Sequence, residues 1–118
     1  GVIIATPTGS TAYSMSAGGP IIAPNADVMV ITAICPHTIS PRSVVVSAED
    51  NIKIEIKKKK SAQDKAIATF DGQKVIDIGA EDELLIKKAQ YDTKLIRLNQ
   101  TGIFEILRSK LINNSDNI

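Results

Sequence analysis

Ile52-Lys53-Ile54-Glu55-Ile56 alternates apolar and charged side chains one for one. Only an extended strand with one buried and one wet face satisfies that period. The pattern recurs in short pieces, and Ser43 to Ala48, Ile52 to Lys57, Ala66 to Phe70, Lys74 to Ile78, Glu83 to Lys88 and Thr93 to Leu98 all read as strands. Glu49-Asp50-Asn51, Asp71-Gly72 and Gly79-Ala80 supply turn chemistry between neighbours, Asp-Gly being foremost a hairpin signal. Each half-apolar strand must bury its face against another layer. The expected fold is therefore all-β and mainly antiparallel, a two-layer β-sandwich.

The first third reads differently. Gly1 to Thr6 is a buried-strand pattern that opens without a methionine or a polar lead-in, which leads us to expect a segment of a longer protein. Pro7-Thr8-Gly9-Ser10 breaks the strand, and Thr11 to Ala17 permits one short helix, capped by Ser10 and stopped by Gly18-Gly19-Pro20. Val28 to Ile34 is a strongly β-branched strand, followed by a loop bracketed by Pro36 and Pro41. Ile103, Phe104, Ile106, Leu107, Lys110 and Leu111 mark an amphipathic carboxy-terminal helix, with Asn113 to Ile118 fraying beyond it.

The 118 residues suit one folding unit, 1–118. No apolar run approaches the ~18 residues of a membrane span. A net charge of +1 with 3% aromatic residues argues against nucleic acid and anionic membrane as partners. The single cysteine excludes an internal disulfide, and the start lacks the layout of a secretion signal, so a reducing cytoplasm is expected.

Chemistry concentrates in Thr6-Pro7-Thr8-Gly9-Ser10-Thr11-Ala12-Tyr13. The hydroxyls of Thr6, Thr8, Ser10 and Thr11 surround a glycine that admits close approach, helix-start amides add donors, and Tyr13 offers a flat amphipathic face. Such a loop suits a polyhydroxylic or phosphate-bearing ligand, or else is a capped strand-to-helix turn. It lacks the Gly-Lys-Ser/Thr ending of a Walker A loop. His37 has no partners for a metal, and Cys35, ending an apolar strand, reads as a buried small hydrophobe. Lys57 to Lys60 reads as a solvated hairpin tip.

The stretch from Thr6 to Pro20, ending Ser14-Met15-Ser16-Ala17-Gly18-Gly19-Pro20, closely resembles the signature of NAD kinases, which phosphorylate NAD to NADP. Cys35-Pro36-His37-Thr38-Ile39-Ser40-Pro41-Arg42 and Phe70-Asp71-Gly72-Gln73 follow in that family's order. Ser43 departs from it, standing where proline is more common. The resemblance implies the carboxy-terminal, NAD-binding and oligomerising domain of an α/β plus β enzyme. It further implies that Thr8, Thr11 and Ala12 lie at the adenosine part of NAD, Ala12 through its backbone, with Tyr13 and Ser16 nearer the second ribose and nicotinamide. Gln73 matches another ligand-facing position, and Cys35 and His37 match contacts made by a neighbouring subunit of a dimer or tetramer.

By the same resemblance, a Gly-Gly-Asp-Gly motif with the catalytic aspartate, an Asn-Glu pair and the donor-binding half lie upstream of Gly1. The intact enzyme would use Mg²⁺ or another divalent metal to move a phosphoryl group from ATP or polyphosphate to the 2'-hydroxyl of NAD. The segment alone would hold no catalytic residue and no metal, and would be inactive. A related diacylglycerol or sphingosine-type lipid kinase, and a non-catalytic NAD-binding module, are the alternatives; Gln73 and the intact Thr6-to-Pro20 stretch weigh against the first.

Overall fold

In the computed structural model the described residues are 1–57, 66–98 and 100–112. Lys58, Lys59 and Lys60 of the lysine run, and the tail from Asn113, lie outside them. The chain divides into two compact units, Gly1–Val46 with Ala89–Ile118, and Ser47–Lys88.

The first unit is built on a three-stranded sheet of order β1-β2-β3, formed by β1 (Val2–Ala5), β2 (Val28–Ala33) and β3 (Val44–Ser47). β1 and β2 are antiparallel, with Val2 opposite Ala33, Ile3 opposite Thr32 and Ala5 opposite Val30. β2 is the central strand, and its Met29, Val30 and Thr32 are all buried. Because side chains alternate across a strand, Ala5, Val30 and Thr32 share one face of the sheet. That face is covered by the segment leaving β1.

After Ala5 the chain forms a 3-10 turn at Thr8–Thr11 and a single helical turn, α1 (Tyr13–Ser16). α1 ends in a Schellman motif: Gly18 N–H donates to the Met15 carbonyl at 2.9 Å and Gly19 N–H to the Ser14 carbonyl at 2.8 Å, with Gly18 at φ 87°. The carboxy-terminal helix α2 (Ile103–Ile112) forms where its apolar spacing placed it, with none of its residues fully buried.

The second unit holds two antiparallel pairs. β4 (Ile52–Glu55) pairs with β7 (Glu83–Ile86), and between them in sequence β5 (Ala66–Phe70) pairs with β6 (Lys74–Ile78). In the outer pair Ile52, Ile54, Leu84 and Ile86 share a half-buried face. Glu55 stands directly opposite Glu83, and Lys53 bridges the two at 2.9 and 2.6 Å. Those contacts raise the Lys53 pKa above its ordinary value, the hydrogen bond to Glu83 first and that to Glu55 second.

The all-β, mainly antiparallel class with a short helix after the first strand and a carboxy-terminal helix is what the structure shows. Two local expectations fail. Thr93 to Leu98 forms no strand: Leu95, Ile96 and Leu98 are 78%, 89% and 93% exposed. β-propensity there is met, but the segment joins none of the described sheets, and a strand exists only as a ladder. Nor does Ser10 cap the helix. α1 begins after Ala12 without a side-chain cap, and Ser10 lies inside the preceding 3-10 turn.

The β5–β6 hairpin turns as its Asp-Gly pair requires, with Asp71 at φ 50°, Gly72 at φ 69° and Gln73 N–H bonded to the Phe70 carbonyl at 3.0 Å. Placing a Cβ in the left-handed region at Gly72 should cost about 1 kcal/mol or more. Asn at position 71, which tolerates that region, should cost little. Thermal unfolding of Gly72→Ala against Asp71→Asn checks this: the first midpoint should fall and the second should not.

Candidate functional site

The loop from Thr6 to Ser16 sorts its hydroxyls into two sets. Ser10 and Ser14 are fully buried, four residues apart on the inward side. The Ser10 hydroxyl donates to the Pro7 carbonyl at 2.6 Å and accepts from Ile22 N–H at 2.9 Å, so it fastens the 3-10 turn to the chain that returns beneath it. The Ser14 hydroxyl meets the Thr32 hydroxyl at 3.2 Å, and Thr32 in turn meets the Ser43 hydroxyl at 3.0 Å. No buried side-chain polar atom among the described residues lacks a partner, as the cost of burying a lone hydroxyl demands.

Thr8, Thr11, Ala12, Tyr13 and Ser16 all lie exposed, Tyr13 by 67%. Thr11 donates to the Thr8 carbonyl at 3.2 Å. The structure thus brings five of the expected site residues together on the outer side of one short segment.

The amides expected to serve a ligand are partly spent inside the loop. Gly9 N–H donates to Thr6 Oγ1 at 3.2 Å, Ser10 N–H to the Thr6 carbonyl at 2.9 Å, and Ala12 N–H to the Gly9 carbonyl at 3.1 Å. The Ala12 carbonyl already accepts from Met15 and Ser16, so a ligand contact from Ala12 must share that oxygen or use its exposed methyl. One turn of helix also carries little dipole.

Cys35 is exposed, not buried as its place at a strand end led us to expect. β2 stops at Ala33, and after Ile34 N–H bonds the Gly1 carbonyl at 2.8 Å the chain turns out of the ladder with Cys35 at φ 45°. His37 is exposed in the following loop. This loop leaves the ladder beside Val2, whereas the hydroxyl loop leaves it beyond Ala5, at the other end of β1. Gln73 is exposed at the β5–β6 hairpin loop, in the second unit.

The described residues hold no group of three or more His, Cys, Asp or Glu able to bind a metal ion. Two concavities of the first unit are lined by other residues, one of about 370 Å³ along Glu105, Arg108, Ser109 and Ile112 and one of about 470 Å³ beside Ile96, Arg97 and Leu98. The hydroxyl segment lines neither of them.

Sequence reading passed over Thr32 and Ser43. The available signal was a single hydroxyl in the apolar run of β2.

Packing requires glycine at one loop position and not at another. A Cβ at Gly19 would lie 2.5 Å from Ser14 Oγ, 2.6 Å from Thr32 Oγ1 and 2.8 Å from the Ser14 carbonyl, whereas at Gly9 it would make ordinary contacts of 3.5 and 3.6 Å. Gly19→Ala should therefore lose about 1–3 kcal/mol of stability, and Gly9→Ala less than about 0.5 kcal/mol. Denaturant midpoints of the two variants check the contrast, which equal losses would contradict.

The family model of the ATP-NAD kinase C-terminal domain matches residues 1–98. The NAD kinase of a Thermoanaerobacter species is 52% identical over 111 residues, covering 94% of this chain and 38% of the relative. That of Lachnoclostridium phytofermentans is 48% identical, covering 93% and 39%. The NAD kinase from Archaeoglobus fulgidus, solved with ATP, aligns with TM-score 0.65 and 34% identity over 76% of this chain and 32% of its own. Yeast NADH kinase, solved with NADH, aligns with TM-score 0.56 and 37% identity over 71% and 23%. These likenesses agree with the β-sandwich class. The chain spans 38–39% of the length of the curated relatives it matches.

Proposed function

Since the chain belongs to the ATP-NAD kinase C-terminal domain family, we propose that it forms the NAD-binding part of an NAD kinase, an enzyme that phosphorylates the 2'-hydroxyl of NAD's adenosine ribose. One observation carries this reading: Thr8, Thr11, Ala12, Tyr13 and Ser16 are presented together to solvent while Ser10 and Ser14 anchor the same segment from below. Held outward, these hydroxyls and the aromatic ring are available to a ligand. The Thr8 and Thr11 side chains suit the adenosine ribose. Tyr13 offers a rigid apolar face for the second ribose or the nicotinamide, and Ser16 a hydroxyl beside it.

The contribution of these residues is orientation. Holding NAD so that one hydroxyl faces the incoming phosphoryl group supplies proximity but no proton acceptor. The base, the phosphate donor (ATP or polyphosphate) and the divalent metal that would offset phosphate charge are assigned to the remainder of the enzyme.

Cys35 and His37 are read as contacts to the dinucleotide of a neighbouring copy. Their loop leaves the opposite end of β1 from the hydroxyl loop and carries Ile39 fully exposed, which suits service to a second chain in a dimer or tetramer. Light scattering of the full-length enzyme should give an oligomer, and a strict monomer would count against this assignment. Gln73 is proposed as a further ligand-facing side chain, and residues 1–118 as the carboxy-terminal domain. The lipid-kinase alternative loses its ground to the family match.

NADP formation tests the reading. The isolated segment should make none. In a full-length enzyme carrying it, Tyr13→Ala should lower catalytic efficiency towards NAD by about tenfold or more. Lys87→Ala, an exposed lysine outside the loop, should leave it unchanged. Both variants must keep the parent's thermal midpoint, and equal efficiencies would make the loop a structural turn.

A further inference from the structure

The geometry points to Thr32 as a positioning residue for the outward face of the hydroxyl loop, an inference that rests on the function proposed above. Thr32 is buried to 2% exposure in the central strand. It is held between two hydroxyls from different parts of the chain, Ser14 in α1 at 3.2 Å and Ser43 just before β3 at 3.0 Å. Its β-branched side chain has few rotamers, and two hydrogen bonds to one oxygen narrow them to one.

The consequence is rotational. A helix of four residues is far below the length at which a helix holds itself, so α1 depends on what fastens it. In a helix successive side chains are about 100° apart. With Ser14 pinned inward on Thr32, Ser16 stands roughly 200° away on the outer side and Tyr13 roughly 100° to the flank, which agrees with both being exposed. A hydrophobic contact at position 32 could fill the same volume but would fix no angle. The absence of a Cβ at Gly19, which would stand 2.6 Å from Thr32 Oγ1, is what lets the Schellman turn close over this pair. Ser43 completes the arrangement by offering Thr32 a second hydroxyl.

Steady-state kinetics on a full-length enzyme carrying the segment test the inference. Thr32→Val keeps the shape and removes the hydroxyl. It should raise KM for NAD by about fivefold to tenfold and leave kcat within about twofold, because the turnover of correctly bound substrate is untouched. Thr32→Ser restores the hydroxyl and should return KM to within about twofold of the parent. A purely structural role would lower the thermal midpoint without moving KM. If Thr32→Val does not fold, Ser43→Ala, which removes the outer hydrogen bond alone, must raise KM for the inference to stand. An unchanged KM in Thr32→Val, or in Ser43→Ala where that variant decides, overturns it, as does a Thr32→Ser enzyme as impaired as the valine variant. An unsubstituted enzyme that makes no NADP overturns the proposed function and this inference together, whereas an active parent with indifferent variants overturns the inference alone.

Discussion

A hydroxyl taken out of water must find a partner, and that requirement organises the first unit. β2 is apolar except for Thr32, and an unsatisfied hydroxyl at its centre would cost about 1–3 kcal/mol. Ser14 and Ser43 meet the demand from two directions. In doing so they bring a one-turn helix and the approach to β3 onto the same strand. The packing of this unit is thus directional where an all-aliphatic core would be permissive.

The same economy separates support from presentation in the hydroxyl loop. Ser10 and Ser14 are buried and use their hydrogen bonds on protein, while Thr8, Thr11 and Ser16 are exposed. One residue type serves both purposes, and position along the helical repeat decides which. The outward residues line neither of the two concavities described, in a chain that spans well under half the length of its relatives.

The sequence was most legible where periodicity and turn chemistry coincide. β5 and β6 fall on the residues that alternation and Asp71-Gly72 marked out, and the Thr6-to-Pro20 stretch pointed to the loop whose outer residues the structure gathers. It was least legible where pairing is non-local. Thr93 to Leu98 has the right residues for a strand but joins none of the described sheets. Glu49-Asp50-Asn51 and Gly79-Ala80 are turns, yet the strands they separate belong to different sheets. Composition cannot say which edge a strand will choose. Cys35 was misjudged because an apolar strand suggests a buried end, whereas a backbone turn at one residue decides exposure. Ser10 was misjudged because cap preference does not register a 3-10 turn placed before the helix.

The second unit's pairings are nested in sequence, β5–β6 inside β4–β7, and that bears on the order in which the unit can assemble. A hairpin closed by a short turn forms with little loss of chain entropy, whereas joining Ile52 to Ile86 across the whole intervening segment loses more. Once the inner hairpin exists, the ends that must meet are already tethered closer together. The Asp71-Gly72 turn is therefore placed to govern how quickly the outer pair closes, although it contributes no residue to that pair's ladder.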